Sequence, residues 1–149
     1  MKQKSIVSVA VASIFWEGLD YAIPTEMDAA VFVPGVRVVV PFGRRRLVGL
    51  VLETRSSSSL PADKIKPVIE VLDDEPIVDH AWMALLTWVS DYYHHPLGNT
   101  IMSALPRRLR EPKPMVKLDV ATDVVAALES PGYALTGEQT HAIETINAL

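Results

Sequence analysis

Asp20 stands between Leu19 and Tyr21 in the short extended run LDYAIP, residues 19 to 24. A carboxylate at neutral pH only accepts hydrogen bonds. Two readings of it are open: an acid beside a turn, or an acceptor for a ligand hydroxyl. Further on, VRVVVPFGRRRLVGLVLE (residues 36 to 53) sets Gly43 before three adjacent cations, Arg44, Arg45 and Arg46. A hairpin turn needs only two to five residues, and Gly43 alone supplies the backbone freedom. Three neighbouring guanidiniums repel one another, so local stability does not account for them. Either the tip is merely solvated or it meets something negative. Gly43 is a turn residue, or a place where a flat ligand lies against bare backbone. Lys66 is a solvated strand start, or a holder of phosphate.

Other chemistry is harder to find. His94 and His95 invite a metal reading, but consecutive helical residues point about 100° apart. No HExxH, no CxxC and no third ligand stands nearby. A helix terminus, where histidines favour the negative end of the dipole, suits them better. There is no GxxxxGK[ST] phosphate loop and no G-x-S-x-G elbow. No catalytic residue and no metal ligand is therefore assigned, and no enzyme activity is expected of the chain as given. The acids at 73 to 75 precede Pro76 and read as a solvated loop.

The elements that must position these residues begin with SIVSVAVA, residues 5 to 12, a strand with Val7, Val9 and Val11 on one face. Pro34-Gly35 marks a turn before a β-branched run. Pro41 inside that run predicts an edge position or a bulge near Phe42. Residues 47 to 54 return, with Gly49 as a bulge or a close approach, and KPVIEVLD (66 to 73) adds another strand. Short strands with no helix between them suggest a small twisted barrel or sandwich. Then the period changes. Asp79 can cap a helix whose apolar side is Trp82, Leu85, Leu86, Val89 and Tyr92 or Tyr93, ended by Pro96. A shorter helix, LGNTIMSA, stops before Pro106. RRLREPKPM has a linker's composition, and residues 116 to 130 are weakly patterned, with room for one strand and one helix. Thr136 and Gln139 are spaced as a capping box, Leu135 could staple to a residue one turn in, and Ile143 and Ile146 follow at helical spacing.

Apolar residues make up 49% of the 149, so a real core is possible and global disorder is excluded. No cysteine is present, which rules out disulfides and thiolate sites and makes a cytosolic compartment the default. The first residues alternate with period two and are read as a strand, not a signal peptide. No run reaches the roughly 20 apolar residues of a membrane span. A net charge of −4 argues against a generic polyanion binder. The distribution says more: five arginines against Glu53 in residues 36 to 55, and five cations against Glu111 in residues 107 to 117. Residues 17 to 30, by contrast, are acidic. Local basic patches on an acidic protein suit a site-specific anion contact.

LDYAIP, then G.RVVVPFGRRRLVGLVLE, KIKPVIEVLDDEPI and LLTWVSDYYHHPLGNTIMSALP, in that order, resemble the N-terminal region of the primosomal protein N′ family of bacterial replication-restart DNA helicases, over residues 5 to 108. LTGEQTHAIETINAL resembles the segment that opens the helicase core of the same family. The resemblance implies a module that binds the 3′ end of a DNA strand at a stalled fork. It implies that Asp20 contacts the terminal 3′-hydroxyl and that Leu19, Tyr21, Gly43 and Lys66 line the pocket for the terminal nucleotide. Leu19 replaces an aromatic found in some members, which predicts a weaker grip on the base. Arg44, Arg45 and Arg46 would then meet phosphates of the strand behind that nucleotide, positioning it without reading its sequence. Partners implied for the intact family protein are primosome proteins and single-stranded-DNA-binding protein. Its ATP, magnesium and zinc belong to parts not present in this chain.

The expected architecture is α+β: a small β-barrel-like domain to residue 73 and a helical pair from 77 to 106, together forming an end-binding domain over residues 1 to 106. Residues 107 to 134 are a linker or a reduced winged-helix remnant, in a truncated or rearranged chain, and 135 to 149 start the helicase core. The expected location is the cytoplasm, at the nucleoid, with no membrane partner. The competing reading is an SH3- or OB-like protein-interaction module whose basic hairpin tip meets acidic partner tails.

Overall fold

The computed structural model describes residues 5 to 114 and 134 to 147. The chain divides into two compact units at residues 115 and 116. The expected strand and helix of residues 116 to 130 lie outside the described residues.

The first unit is α+β. Its strands are β1 (Ile6–Val11), β2 (Leu19–Ala22), β3 (Arg37–Phe42), β4 (Arg45–Arg55) and β5 (Glu70–Val71), followed by helices α1 (His80–Tyr92) and α2 (Leu97–Ala104). The strands form one antiparallel sheet in the order β2-β1-β4-β3-β5. The sheet is open, not a closed barrel. The strand expected over residues 66 to 73 shrinks to two paired residues, β5, and one isolated bridge between Ala22 and Pro67. Through that bridge the segment before β5 touches β2 at one edge of the sheet, while β5 itself pairs with β3 at the other.

Alternation places the core. Val7, Val9 and Val11 turn to one face as expected and join Tyr21, Val38, Val40 and Val51 there. The other face carries Ala10 and Leu50 under the helices, where they meet Val78, Leu86, Ile101, Met102 and Leu105. Both faces of β1 are therefore covered, which is why all six of its residues are buried. Pairing of β1 with β4 slips at Ser8 and Val9, so the bulge falls there and not at Gly49. Gly49 is instead a close approach: a Cβ would fall 2.4 Å from a Val9 methyl. Gly98 seats α2 on β1, since a Cβ there would lie 1.9 Å from the Val11 carbonyl oxygen.

Pro41 keeps an edge position. β5 pairs only with Val38 and Val39, so β3 is unpaired on that side beyond them. Phe42 and Arg45 flank the two-residue turn, and Pro41 pairs with Arg46 one step further in. The residue one step in from such a turn points its nitrogen away from the partner strand, so the missing donor costs nothing.

Several side chains sit where the sequence did not put them. Arg37 is fully buried, so it leaves the basic patch, and Asp73 is buried too, so it leaves the solvated loop. Their ion pair is two-pronged, with Nε to Oδ2 at 2.8 Å and Nη2 to Oδ1 at 2.6 Å. Arg37 also donates to the carbonyls of Leu109 at 2.9 Å and Lys113 at 3.2 Å. The supposed linker is thus docked on the first unit as far as Lys113. On α1, Leu86 is buried, whereas Leu85 is 52% exposed and Tyr92 and Tyr93 are also turned outward.

Helix ends follow local chemistry. Asp79 caps α1 through the Trp82 N–H at 2.7 Å. At the other end His94 takes φ 49, with its N–H on the Asp91 carbonyl and the His95 N–H on the Ser90 carbonyl. That is a Schellman arrangement, and it gives the paired histidines a terminal role. Among the described residues no group of three or more His, Cys, Asp or Glu is placed to hold a metal ion. No described helix is long and apolar enough to cross a membrane.

In the second unit, α3 (Gly137–Asn147) opens on the expected box. The Thr136 N–H donates to Gln139 Oε1 at 2.9 Å, and the Gln139 N–H donates to Thr136 Oγ1 at 3.3 Å.

Candidate nucleic-acid interface

β2 is the edge strand from which the candidate site is built. Its pairing with β1 sets Leu19 opposite Val9, Asp20 opposite Ser8 and Tyr21 opposite Val7. Successive strand residues face opposite ways. Leu19 and Tyr21 accordingly turn to the inner core, and Asp20 turns to the other side with Ser8. Three consecutive residues expected to line one pocket are split between two faces.

Asp20 is not a solvated acid. Only 10% of its side chain is exposed. Ser58, from the polar loop after β4, donates its hydroxyl to Oδ2 at 2.5 Å. Oδ1 is buried and accepts no hydrogen bond. Its partner is a loose ion pair: Arg55 Nη1 stands 3.6 Å from Oδ1, beyond hydrogen-bond reach, while Arg55 Nε and Nη2 hold Glu53. A carboxylate oxygen shut from water without a donor is an expensive thing to keep. It is the clearest unmet polar demand in the first unit.

Tyr21 is a core residue and not an exposed contact. It is 4% exposed, and its hydroxyl donates to the Pro41 carbonyl at 3.3 Å. Burial pushes its phenol up to about 12. Its bond to Pro41 ties β2 to the β3–β4 hairpin near its tip, two residues before Gly43. Leu19 is half-buried and packs on the same cluster as Phe42. Lys66 is exposed, and its carbonyl accepts the Ala22 N–H at 2.9 Å. The loop that runs from Arg55 to Pro67 thus brings Ser58 against Asp20 near one end and the Lys66 backbone against Ala22 at the other.

The hairpin turn is Gly43-Arg44. Gly43 takes φ +60, and Arg44 is not among the residues of positive φ. Glycine first, then an ordinary residue, is the pattern of a II′ turn. A Cβ on Gly43 would meet nothing within 4 Å, so the turn demands glycine for its φ and the space above it is open. Only Arg44 lies in the turn. Arg45 and Arg46 open β4 itself, paired with Phe42 and Pro41. Arg45 and Arg46 face opposite sides of the hairpin. All three are exposed.

A cleft of about 450 Å³ lies between the sheet and α2, lined by Ala12, Leu47, Val48, His95, Asn99 and Arg110 among others. None of the expected site residues lines it. What reading the sequence missed is the pair Ser58 and Arg55 around Asp20. Their only signal was a polar loop, RSSSS, of no distinctive chemistry. The aromatic contact between Phe15 and Phe42, with centroids 6.5 Å apart, was missed as well.

The family model described as 3′DNA-binding domain (3′BD) matches residues 7–106. The chain is 34% identical over 114 residues to the replication restart protein PriA of Haemophilus influenzae, covering 76% of this chain and 15% of that protein. It is 34% identical over 120 residues to the protein of the same name from Treponema pallidum, covering 76% of this chain and 17% of that one. The Bacillus subtilis protein is 36% identical over 72 residues, 48% of this chain and 9% of that protein. The matched region thus spans less than a fifth of these relatives' length.

Proposed function

The chain belongs to the family of 3′DNA-binding domains (3′BD) of the replication restart protein PriA, and from that premise we propose that it is a DNA-binding module that receives the 3′-hydroxyl end of a strand. The observation that carries the reading is the buried Oδ1 of Asp20, which accepts no hydrogen bond and has only the loose ion pair with Arg55. A ribose 3′-hydroxyl is a donor of the right kind for it. Ser58 already satisfies Oδ2, which leaves one oxygen for one ligand hydrogen. Access requires Arg55 to swing away. Its side chain is 47% exposed, so that motion gives up little packing.

In this reading the module brings a longer replication restart protein, an ATP-dependent 3′–5′ helicase with its own zinc, to abandoned forks at the bacterial nucleoid. Primosome proteins and single-stranded-DNA-binding protein would be met by that longer protein. The exposed cations of the hairpin and Lys66 supply phosphate contacts that ignore base identity, which suits a module obliged to accept any terminal nucleotide.

The test is a competition titration with oligonucleotides that differ only at the 3′ end. An ionised 3′-phosphate cannot donate a hydrogen bond and brings negative charge against Asp20. The hydroxyl end should therefore bind more tightly, although the phosphate adds charge that the arginines favour. Asp20→Asn should erase most of the discrimination and weaken hydroxyl-end binding about tenfold or more. Equal affinity of the unaltered chain for both ends would return Asp20 to an acid beside a loop.

A further inference from the structure

The β1–β2 connection carries large apolar side chains outside the core. Ile14, Phe15 and Trp16 are 83%, 49% and 55% exposed. The loop is nevertheless anchored. Asn99 of α2 donates Nδ2 to the Ser13 carbonyl at 3.0 Å, and the Phe15 N–H donates to Ser13 Oγ at 3.3 Å. At its far end Gly18 lies so close to β1 that a Cβ would fall 2.4 Å from Ser8 Oγ. Two aromatic rings are thus held out to solvent from fixed ends.

Their neighbours give the partner's chemistry. Phe15 meets Phe42 edge-to-face at an interplanar angle of 73°. Phe42 pairs directly with Arg45 across the hairpin, and directly paired strand residues share a face. Of the two arginines that open β4, Arg45 is therefore the one beside the aromatic contact, and Arg46 faces away. Phe42 and Leu19 pack on the same core cluster, so the aromatic patch adjoins the start of β2. Exposed rings beside an exposed cation are the two components that single-stranded nucleic acid needs: a stacking surface for bases and a charge for phosphates. An apolar protein surface would use the rings but leave the cation unanswered.

We infer that Phe15, Trp16, Phe42 and Arg45 form a shelf that stacks single-stranded bases on the sheet face opposite Asp20, so that a strand whose 3′ end reaches Asp20 bends round the edge strand β2 to lie on it. Which nucleotides reach the shelf rests on the end-binding reading; that it stacks single-stranded bases does not. The shelf offsets the weaker grip of Leu19, which cannot stack on the terminal base as an aromatic would.

The test uses the full chain and two oligonucleotides with identical 3′-hydroxyl ends, one normal and one abasic at the second to fourth nucleotides. The normal strand should bind more tightly by about fivefold to about a hundredfold. The double variant Phe15→Ala, Trp16→Ala should bind both strands alike, at the weaker affinity. Trp16→Tyr keeps a ring and should keep the preference, which serves if the double variant folds poorly. Equal affinity of the unaltered chain for the two strands would overturn the shelf, as would a Trp16→Tyr variant that loses the preference as completely as Trp16→Ala. The two readings fail separately. Loss of discrimination between hydroxyl and phosphate ends, with abasic sensitivity kept, removes the role of Asp20 and leaves the shelf standing. The reverse result removes the shelf alone.

Discussion

A guanidinium shut from water must find its hydrogen-bond acceptors within the protein. Arg37 does so through Asp73 and the carbonyls of Leu109 and Lys113, and so ties β3, the segment after β5 and the segment beyond α2 together. Arg37→Met should cost ~3–5 kcal/mol, because it strands a charge at Asp73. Adding Asp73→Leu should recover part of this and not all, since the two carbonyls still lack their donor. Urea denaturation of the three chains measures it; a single variant within about 1 kcal/mol of the parent would contradict the role. Tyr21 makes a second residue-scale prediction. Its phenol is raised from 10.0 to about 12 by burial. The folded state therefore holds this proton more tightly than the unfolded chain does. The associated stability is complete below pH 10 and is lost as the pH climbs toward 12, by on the order of 2–3 kcal/mol. Tyr21→Phe should lose about 1 kcal/mol at neutral pH with the bond to Pro41. It should also lose the extra alkaline sensitivity, so that the stability gap between the two chains closes above pH 10 and reverses as the pH nears 12. A gap that stays constant to pH 11.5 would deny that the buried phenol is the source.

On the scale of elements, α1 shows what periodicity does and does not settle. Its sequence, HAWMALLTWVSDY, carries apolar residues around most of its circumference. Asp79 and the spacing were enough for the helix and its start. They were not enough for the face, because Leu85 and Leu86 each fit an apolar stripe and differ by about 100° of rotation. The structure buries Leu86 and leaves Leu85 half exposed. Leu86→Ala should cost ~2–5 kcal/mol, and Leu85→Ala under about 0.5 kcal/mol. Equal losses in thermal or urea unfolding would mean both faces are packed. The strands β1, β3 and β4 were legible for the opposite reason: their β-branched alternation admits one solution, and the Gly43 turn fixes the register between β3 and β4. β5 was not, since KPVIEVLD has strand composition but only two residues find a ladder partner. Nor was the Arg37–Asp73 pair, because nothing local tells a buried ion pair from two surface charges far apart in the chain. For the candidate site, Asp20 was legible as a singular acid. The period of two turns its side chain to the face opposite Leu19 and Tyr21. Arg55, the last residue of β4, and Ser58, from the loop after it, set the environment of Asp20, and that loop's composition promised only solvation.

Charge is a property of the whole molecule, and here it runs against polyanion binding. The net charge is −4, so an approaching DNA strand is repelled at long range and is held by a few short contacts. Affinity should then depend on salt only as steeply as the number of those contacts. The hairpin geometry predicts which cations count. Arg45 shares a face with Phe42 and the aromatic loop, whereas Arg46 projects from the other face. A strand laid on the aromatic face meets Arg45 and has Arg44 of the turn within reach, but misses Arg46. Arg45→Ala should reduce the slope of log affinity against log salt by about 0.7, the value of one phosphate contact on a single strand. Arg46→Ala should leave the slope within error of the parent, and the triple variant should lose little beyond what Arg44 and Arg45 contribute. Melting temperatures should hardly move for any of them, as all three side chains are exposed. Titrations of one labelled oligonucleotide at four or more salt concentrations decide it. Equal slope losses for Arg45→Ala and Arg46→Ala would mean that the strand crosses the hairpin's end and touches both faces. A loss for Arg46 alone would keep the strand on the Asp20 side of the sheet throughout, away from the aromatic shelf.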